Sequence, residues 1–159
     1  MVLNMQDGLA TFTTLGKLDI EELIPHSEGM CLLEKVTSYS PEEIICQTRS
    51  HLDDSNPLKI DGQLSKMHLI EYGAQAVAIH GGLLEKQDIS SAEPKVGYIA
   101  MVKSVKWGDF DRYTPFLEIK AIQVMADEMT KLYEFDVSDA EQNSVCSGRV
   151  MVVHPDLES

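Results

Sequence analysis

Leu64–Leu84 reads LSKMHLIEYGAQAVAIHGGLL, and its apolar spacing is that of a helix. Leu69, Ile70, Ala74, Val77, Ala78 and Gly81 recur at helical intervals. The stretch is rich in small residues, Gly73, Ala74, Ala76 and Ala78 among them. A helix with so few bulky side chains lets neighbouring elements approach it from several sides, so a buried helix over Leu64–Leu84 is expected. Gly81-Gly82 marks its weak C-terminal end.

The flanks are different. On the N-terminal side Met30–Ser38 and Glu43–Ser50 are strand-like, and Ser40-Pro41-Glu42 between them predicts a hairpin. Before them Leu18–Ile24 predicts one or two helical turns with Asp19 as N-cap, stopped by Pro25. Residues 1–17 are polar with no clear period and are expected to form a loose arm. His51–Gln63 is a polar loop. After the helix come four strand-like runs, Val96–Trp107, Phe116–Ala126, Lys131–Ser138 and Ser144–Val153. In the third, Tyr133, Phe135 and Val137 alternate with Glu134 and Asp136, so one face is apolar. Short polar connections make these four strands antiparallel neighbours. A sheet of that size needs its apolar face covered, and the small-residue helix is the element to cover it. The expected class is α+β, with an antiparallel sheet wrapped around one long central helix.

Composition removes several functions. The chain has 159 residues, enough for one domain with a real core. Thirteen Lys+Arg against 26 Asp+Glu leave a net charge of −13, which opposes binding to a phosphate backbone. No apolar run reaches the roughly 18 residues of a membrane span. No basic segment followed by an apolar one opens the chain, so a cytoplasmic location is expected. Cys31, Cys46 and Cys146 are too far apart for a C-x-x-C pair or a zinc ribbon, and are expected to be buried thiols. H-E-x-x-H, G-x-S-x-G, P-loop and G-x-G-x-x-G patterns are all missing. No metal and no bound cofactor is expected.

Glu71 and Gln75 lie four apart, on one face of the helix. A carboxylate there is costly to bury unless it is paired or used, and burial favours its protonated form. Glu71 is therefore either an acid–base group or part of an exposed stripe with Lys66 or Gln75. His68 shares its face, whereas nine helical steps of roughly 100° put His80 on the opposite side. His26 lies in the turn before the first strand of the hairpin, and His51 opens the polar loop.

Two segments carry a resemblance. PHSEGMCLLEKV (Pro25–Val36) is similar to the P-H-x-x-x-M/F-L-L-[DE]-x-V stretch of hot-dog-fold β-hydroxyacyl-acyl carrier protein dehydratases. LIEYGAQAVAIHGG (Leu69–Gly82) resembles their E-x-x-A-Q central helix. SHLDDSNPLKIDG (Ser50–Gly62) resembles the pre-helix loop of a divergent bacterial branch tied to aryl-polyene-type biosynthesis. The resemblance implies a single hot-dog domain over residues 18–159. It implies dehydration of a 3-hydroxyacyl thioester carried on the phosphopantetheine arm of an acyl carrier protein. It implies Glu71 as catalytic acid, His51 or His26 as base, and Gln75, Asn56 and Gly62 as substrate-binding residues. It also implies a homodimer, or a heterodimer with another hot-dog subunit, with catalytic groups coming from both chains. The family's usual G-H-F-P-G histidine stretch is missing here. A non-catalytic hot-dog subunit and an acyl thioesterase are the alternative readings. Lys103, Lys106 and Arg112, with Lys59 and Lys66 at the helix start, are the candidate basic patch for an acidic carrier protein; the alternative is solvated strand-edge charge.

Overall fold

A computed structural model describes residues 4–6, 9–11, 14–24, 30–88 and 97–155. Two short strands, β1 (Asn4–Gln6) and β2 (Leu9–Thr11), pair antiparallel within the stretch expected to be a loose arm. Leu15 then bridges Val36 and is buried. Helix α1 runs over Lys17–Leu23 and starts one residue before the expected helix. Gly16 is its N-cap, and Asp19 sits in the first turn, where its carboxylate accepts the Gly16 N–H at 3.1 Å. Asp19 thus serves the helix start from inside the helix, where a negative charge is favoured.

The hairpin strands are β3 (Lys35–Tyr39) and β4 (Glu43–Thr48). Met30–Glu34, expected to be strand, is not, because its backbone is held elsewhere. Leu32 N–H donates to Gln75 Oε1, Met30 C=O accepts from Gln75 Nε2, and Leu32 C=O accepts from the Thr48 hydroxyl. The central helix α2 spans Leu69–Gln87, preceded by a 3-10 turn at Lys66–His68 that Ser65 caps. It does not end at Gly81-Gly82. Leu83 is buried in the core, and that packing outweighs the low helix propensity of two glycines.

Four long strands follow: β5 (Tyr98–Trp107), β6 (Leu117–Ala126), β7 (Thr130–Ser138) and β8 (Ser144–Val153). The main sheet is six-stranded and antiparallel, in the order β3-β4-β6-β7-β8-β5. The four final strands lie side by side and antiparallel, as expected, but in the order β6-β7-β8-β5, so that β5 pairs with β8 instead of β6 and stands at the sheet edge. Its connection to β6 is no hairpin; residues 108–116 cross from one side of the sheet to the other.

The expected alternation in β7 holds, with Tyr133, Phe135 and Val137 buried toward α2. Gly73 makes this possible, since a Cβ there would overlap the Phe135 ring. The helix is buried around most of its circumference, with the sheet on one side and α1 on another. The three cysteines are buried and free. Burial raises their thiol pKa values, that of Cys146 to about 11. Among the described residues no helix is long and apolar enough to cross a membrane.

Candidate functional site

The loop between β4 and α2 is built around polar side chains. His51 lies in a 3-10 turn at Ser50–Leu52 and is 3% exposed. Its Nε2 lies 2.7 Å from the Thr114 carbonyl oxygen. A carbonyl can only accept, so Nε2 carries the proton and Nδ1 keeps a lone pair. That Nδ1 is buried and has no hydrogen-bond partner. Burial holds the His51 pKa below its ordinary 6.5, opposed by the Thr114 carbonyl. The ring is therefore neutral at pH 7, with a fixed tautomer and a buried basic nitrogen that no polar group among the described residues meets. Leaving such an atom unpaired costs about 1–3 kcal/mol.

Thr114 is itself anchored. Its hydroxyl accepts the Ala140 N–H at 3.0 Å and lies 3.4 Å from the Phe116 carbonyl. The β7–β8 turn that supplies Ala140 is held by Asp139, whose carboxylate accepts the N–H groups of Glu141 and Asn143. These hydrogen bonds depress the Asp139 pKa. Phe110 places its ring 6.4 Å from His51.

Asn56 is buried and spends its side chain on the loop. Its Oδ1 accepts the Leu58 N–H, and its Nδ2 donates to the Ser50 carbonyl and the Tyr72 hydroxyl. Tyr72, from α2, also meets Ser50 Oγ at 2.9 Å. Asn56 therefore ties the His51 turn to the central helix. Gly62 is exposed at φ +74°, beside Asp61 at φ +52°, in the turn where Ile60 pairs with Gln63. Both residues adopt left-handed backbone, which glycine tolerates best.

Glu71, half-buried in the first turn of α2, accepts a hydrogen bond from Gln75 Nε2 at 3.2 Å. Gln75 is 1% exposed and bonds Glu71 together with the backbone of Met30 and Leu32. The structure thus couples Glu71 with Gln75, and His51 with Asn56 through the loop, as two separate clusters. No hydrogen bond joins His51 to Glu71, and the charges acting on His51 belong to Lys59, Glu34 and Arg49. His26 lies outside the described residues. His68 Nδ1 is also buried without a partner.

Of the basic candidates, Lys59 acts electrostatically on His51, and Lys66 donates to the Gly108 carbonyl at 3.1 Å. Lys103 and Lys106 lie on β5, and Arg112 is exposed in the loop that follows it. A depression of about 550 Å³ lies over β5–β8 and is lined mainly by outward side chains such as Lys106, Lys120 and Arg149. It includes neither His51 nor Glu71. Among the described residues no three His, Cys, Asp or Glu side chains gather to hold a metal.

Sequence reasoning missed Thr114 and Phe110. Thr114 acts through its carbonyl, which no side-chain pattern reveals. Tyr72 carried a weaker signal, as a polar-tipped aromatic inside an otherwise small-residue helix.

A six-stranded antiparallel sheet folded over a single long helix defines a hot-dog protein. The family model described as ApeP dehydratase matches residues 18–159, and the chain belongs to this ApeP-like family. Among solved structures it is similar to the dehydratase heterocomplex ApeI:P from Xenorhabdus doucetiae. The two are 23% identical, the match covers 87% of this chain and 91% of that one, and the TM-score is 0.71. A thioesterase from Haemophilus influenzae matches at 12% identity, over 94% of this chain and 96% of that one, with a TM-score of 0.64. Zebrafish thioesterase superfamily member 2 matches at 11% identity, over 89% and 99%, with a TM-score of 0.61. At these identities the neighbours establish the fold. No curated protein matches the chain.

Proposed function

We propose that the chain is a cytoplasmic subunit of a 3-hydroxyacyl thioester dehydratase. The acyl group is presented on the phosphopantetheine arm of an acyl carrier protein. The observation that carries this reading is the buried, unpartnered Nδ1 of His51, on a ring whose other nitrogen is pinned to Thr114. Buried polar atoms are rarely left unpaired, and a neutral imidazole with a fixed tautomer is prepared to take a proton. Membership in a dehydratase family supports the same reaction class.

In this mechanism Nδ1 removes the proton at C2 of the thioester. The C2–H electron pair forms the C2=C3 bond, and the C3–O bond breaks. The Glu71 carboxylic acid gives its proton to the departing hydroxyl, which leaves as water. The Thr114 carbonyl stabilises the imidazolium through the Nε2–H bond. Gln75 holds Glu71 and the Met30–Leu32 backbone together, and Asn56 and Gly62 shape the loop beside the acyl thioester. His26 is the alternative base.

Because His51 and Glu71 do not bond within one chain, the complete site combines His51 of one subunit with Glu71 of a second hot-dog subunit. The edge strand β5 is the seam, and the ApeI:P heterocomplex is a precedent for such pairing of hot-dog subunits. Lys59 and Lys66, by the His51 loop, receive the acidic carrier. The local attraction operates within a Debye length of about 8 Å, so the net charge of −13 does not prevent docking.

The test offers the purified protein 3-hydroxyacyl, trans-2-enoyl and saturated acyl thioesters on carrier protein. Interconversion of the first two is expected. Release of free thiol would replace the reading with a thioesterase, which the Haemophilus influenzae neighbour keeps in view. Inertness alone, with activity restored only by a second hot-dog chain whether or not His51 is replaced, would make this chain a non-catalytic subunit.

A further inference from the structure

We infer that His68 is the residue through which Glu71 regains its proton from solvent after each turnover. This deepens the dehydratase reading and rests on it, since only an acid that loses its proton in every cycle has to be reloaded. His68 does not touch the substrate; it acts through Glu71.

His68 ends the 3-10 turn before α2 and keeps helical backbone, at φ −69° and ψ −16°. The helical spacing therefore extends back to it. Residues three and four apart on a helix are neighbours, and helical side chains lean toward the N-terminus. Glu71 and Tyr72 are the third and fourth residues after His68, so both lean over the turn in which it sits. Steps of roughly 100° put His68 between them around the helix axis. Glu71 belongs to the Gln75 cluster, and Tyr72 holds the Ser50–Asn56 loop that carries His51. His68 thus stands between the two clusters, one turn before both.

The two nitrogens of its ring face different surroundings. Nδ1 is buried and meets no polar group, although the ring as a whole is only half-buried. Nε2 is not among the buried atoms that lack a partner, and no hydrogen bond holds it among the described residues, so water reaches the ring from that edge. Buried polar atoms are rarely left unpaired. An imidazole can accept a proton at one nitrogen and give one up from the other, which suits a ring with one edge in water and one inside the protein. Lys66, the other basic group of this turn, donates instead to the Gly108 carbonyl.

The proton balance closes. The departing hydroxyl takes the Glu71 proton and leaves a carboxylate. Hydronium or a buffer acid protonates His68 at Nε2, and the imidazolium passes its Nδ1 proton to that carboxylate, directly or over one water. The ring ends neutral and Glu71 is again an acid. Rotation about the His68 Cβ–Cγ bond brings the protonated nitrogen back to the inner side. The proton that His51 took from C2 leaves to solvent.

The test runs the complete enzyme, with a second hot-dog subunit where the dehydratase assay shows one to be needed. In weak buffer, His68→Ala should convert the first equivalent of 3-hydroxyacyl thioester at the wild-type rate, because Glu71 starts protonated. Steady turnover should then fall about tenfold with KM unchanged, less than the roughly 10²–10⁴ of a direct acid, since water still reaches Glu71 slowly. Added imidazole should restore it, and wild type should not respond. Steady turnover equal to wild type, a first turnover slowed as much as the later ones, or a loss that imidazole does not restore would each overturn the inference and leave the dehydratase reading standing. A wild-type enzyme that converts no 3-hydroxyacyl thioester removes both. One readout needs no turnover: in ring ¹⁵N spectra Glu71→Gln should move the His68 resonances and leave those of His80 in place. Unmoved His68 resonances would also overturn the inference.

Discussion

The imidazole Nε2 of His51 and the carbonyl oxygen of Thr114 lie 2.7 Å apart, across 63 residues of sequence. This contact settles which ring nitrogen carries the proton, and with it which nitrogen can act as a base. Replacing His51 by Ala should lower dehydration by about 10²–10⁴ while the circular dichroism spectrum is kept. His26→Ala, measured beside it, should leave turnover near wild type if His51 is the base.

The same contact predicts a pH profile. A base works unprotonated, and burial lowers the His51 pKa from 6.5. The kcat/KM should therefore hold as pH falls through 6.5 and decline only in more acid solution. An acid limb centred above pH 6.5 would remove His51 from the role. Thr114→Val deletes the hydroxyl that accepts the Ala140 N–H, and should move the acid limb as the carbonyl loses its anchor.

Glu71→Gln keeps a hydrogen-bond acceptor for Gln75 but removes the proton the leaving hydroxyl needs. Turnover is expected to fall by about 10²–10⁴ with a melting temperature close to wild type. Unchanged turnover would make Glu71 a structural residue.

Gln75→Leu strands two backbone groups, the Leu32 N–H and the Met30 carbonyl. The cost should be about 2–4 kcal/mol, or roughly 5–15 °C in Tm for a chain of this size. Hydrogen exchange at the Leu32 amide should accelerate more than at the β7 amides, which sit in the middle of the sheet.

His80 gives stability its own pH dependence. It is fully buried, with Nε2 2.8 Å from the Ser40 carbonyl and Nδ1 2.7 Å from the Tyr133 hydroxyl. Burial lowers its pKa from 6.5, as it does for His51. In the window between the lowered folded value and 6.5, the unfolded chain binds more protons than the folded one. Stability is thus fully present above pH 6.5 and is lost as pH falls below it. Urea denaturation at pH 5 and pH 7 should show this difference, and it should shrink in His80→Gln.

How much of this was legible differs from element to element. The period of Leu69–Leu83 and the alternation in β7 are local, so a reader of residue types recovers both. The hairpin of β3 and β4 follows from Pro41 and its neighbours, because turn chemistry is equally local. The E-x-x-A-Q helix and the Pro25–Val36 segment were enough to bring the dehydratase resemblance into view, and the family match over residues 18–159 agrees with it.

Other features depend on contacts between distant parts of the chain. β5 lies beside β8 because residues 108–116 cross the sheet, and no residue of β5 encodes that neighbour. Met30–Leu33 looks like strand but is not, because a glutamine 43 residues from Leu32 takes its hydrogen bonds. Helix α2 runs past Gly81-Gly82 because Leu83 has a core to enter. His51 was visible as a candidate, but its tautomer was not, since a backbone carbonyl has no side-chain signature. Residue types carry propensity, period and chemical capacity. Which capacity is used depends on which backbone groups arrive beside it, and folding alone brings them there.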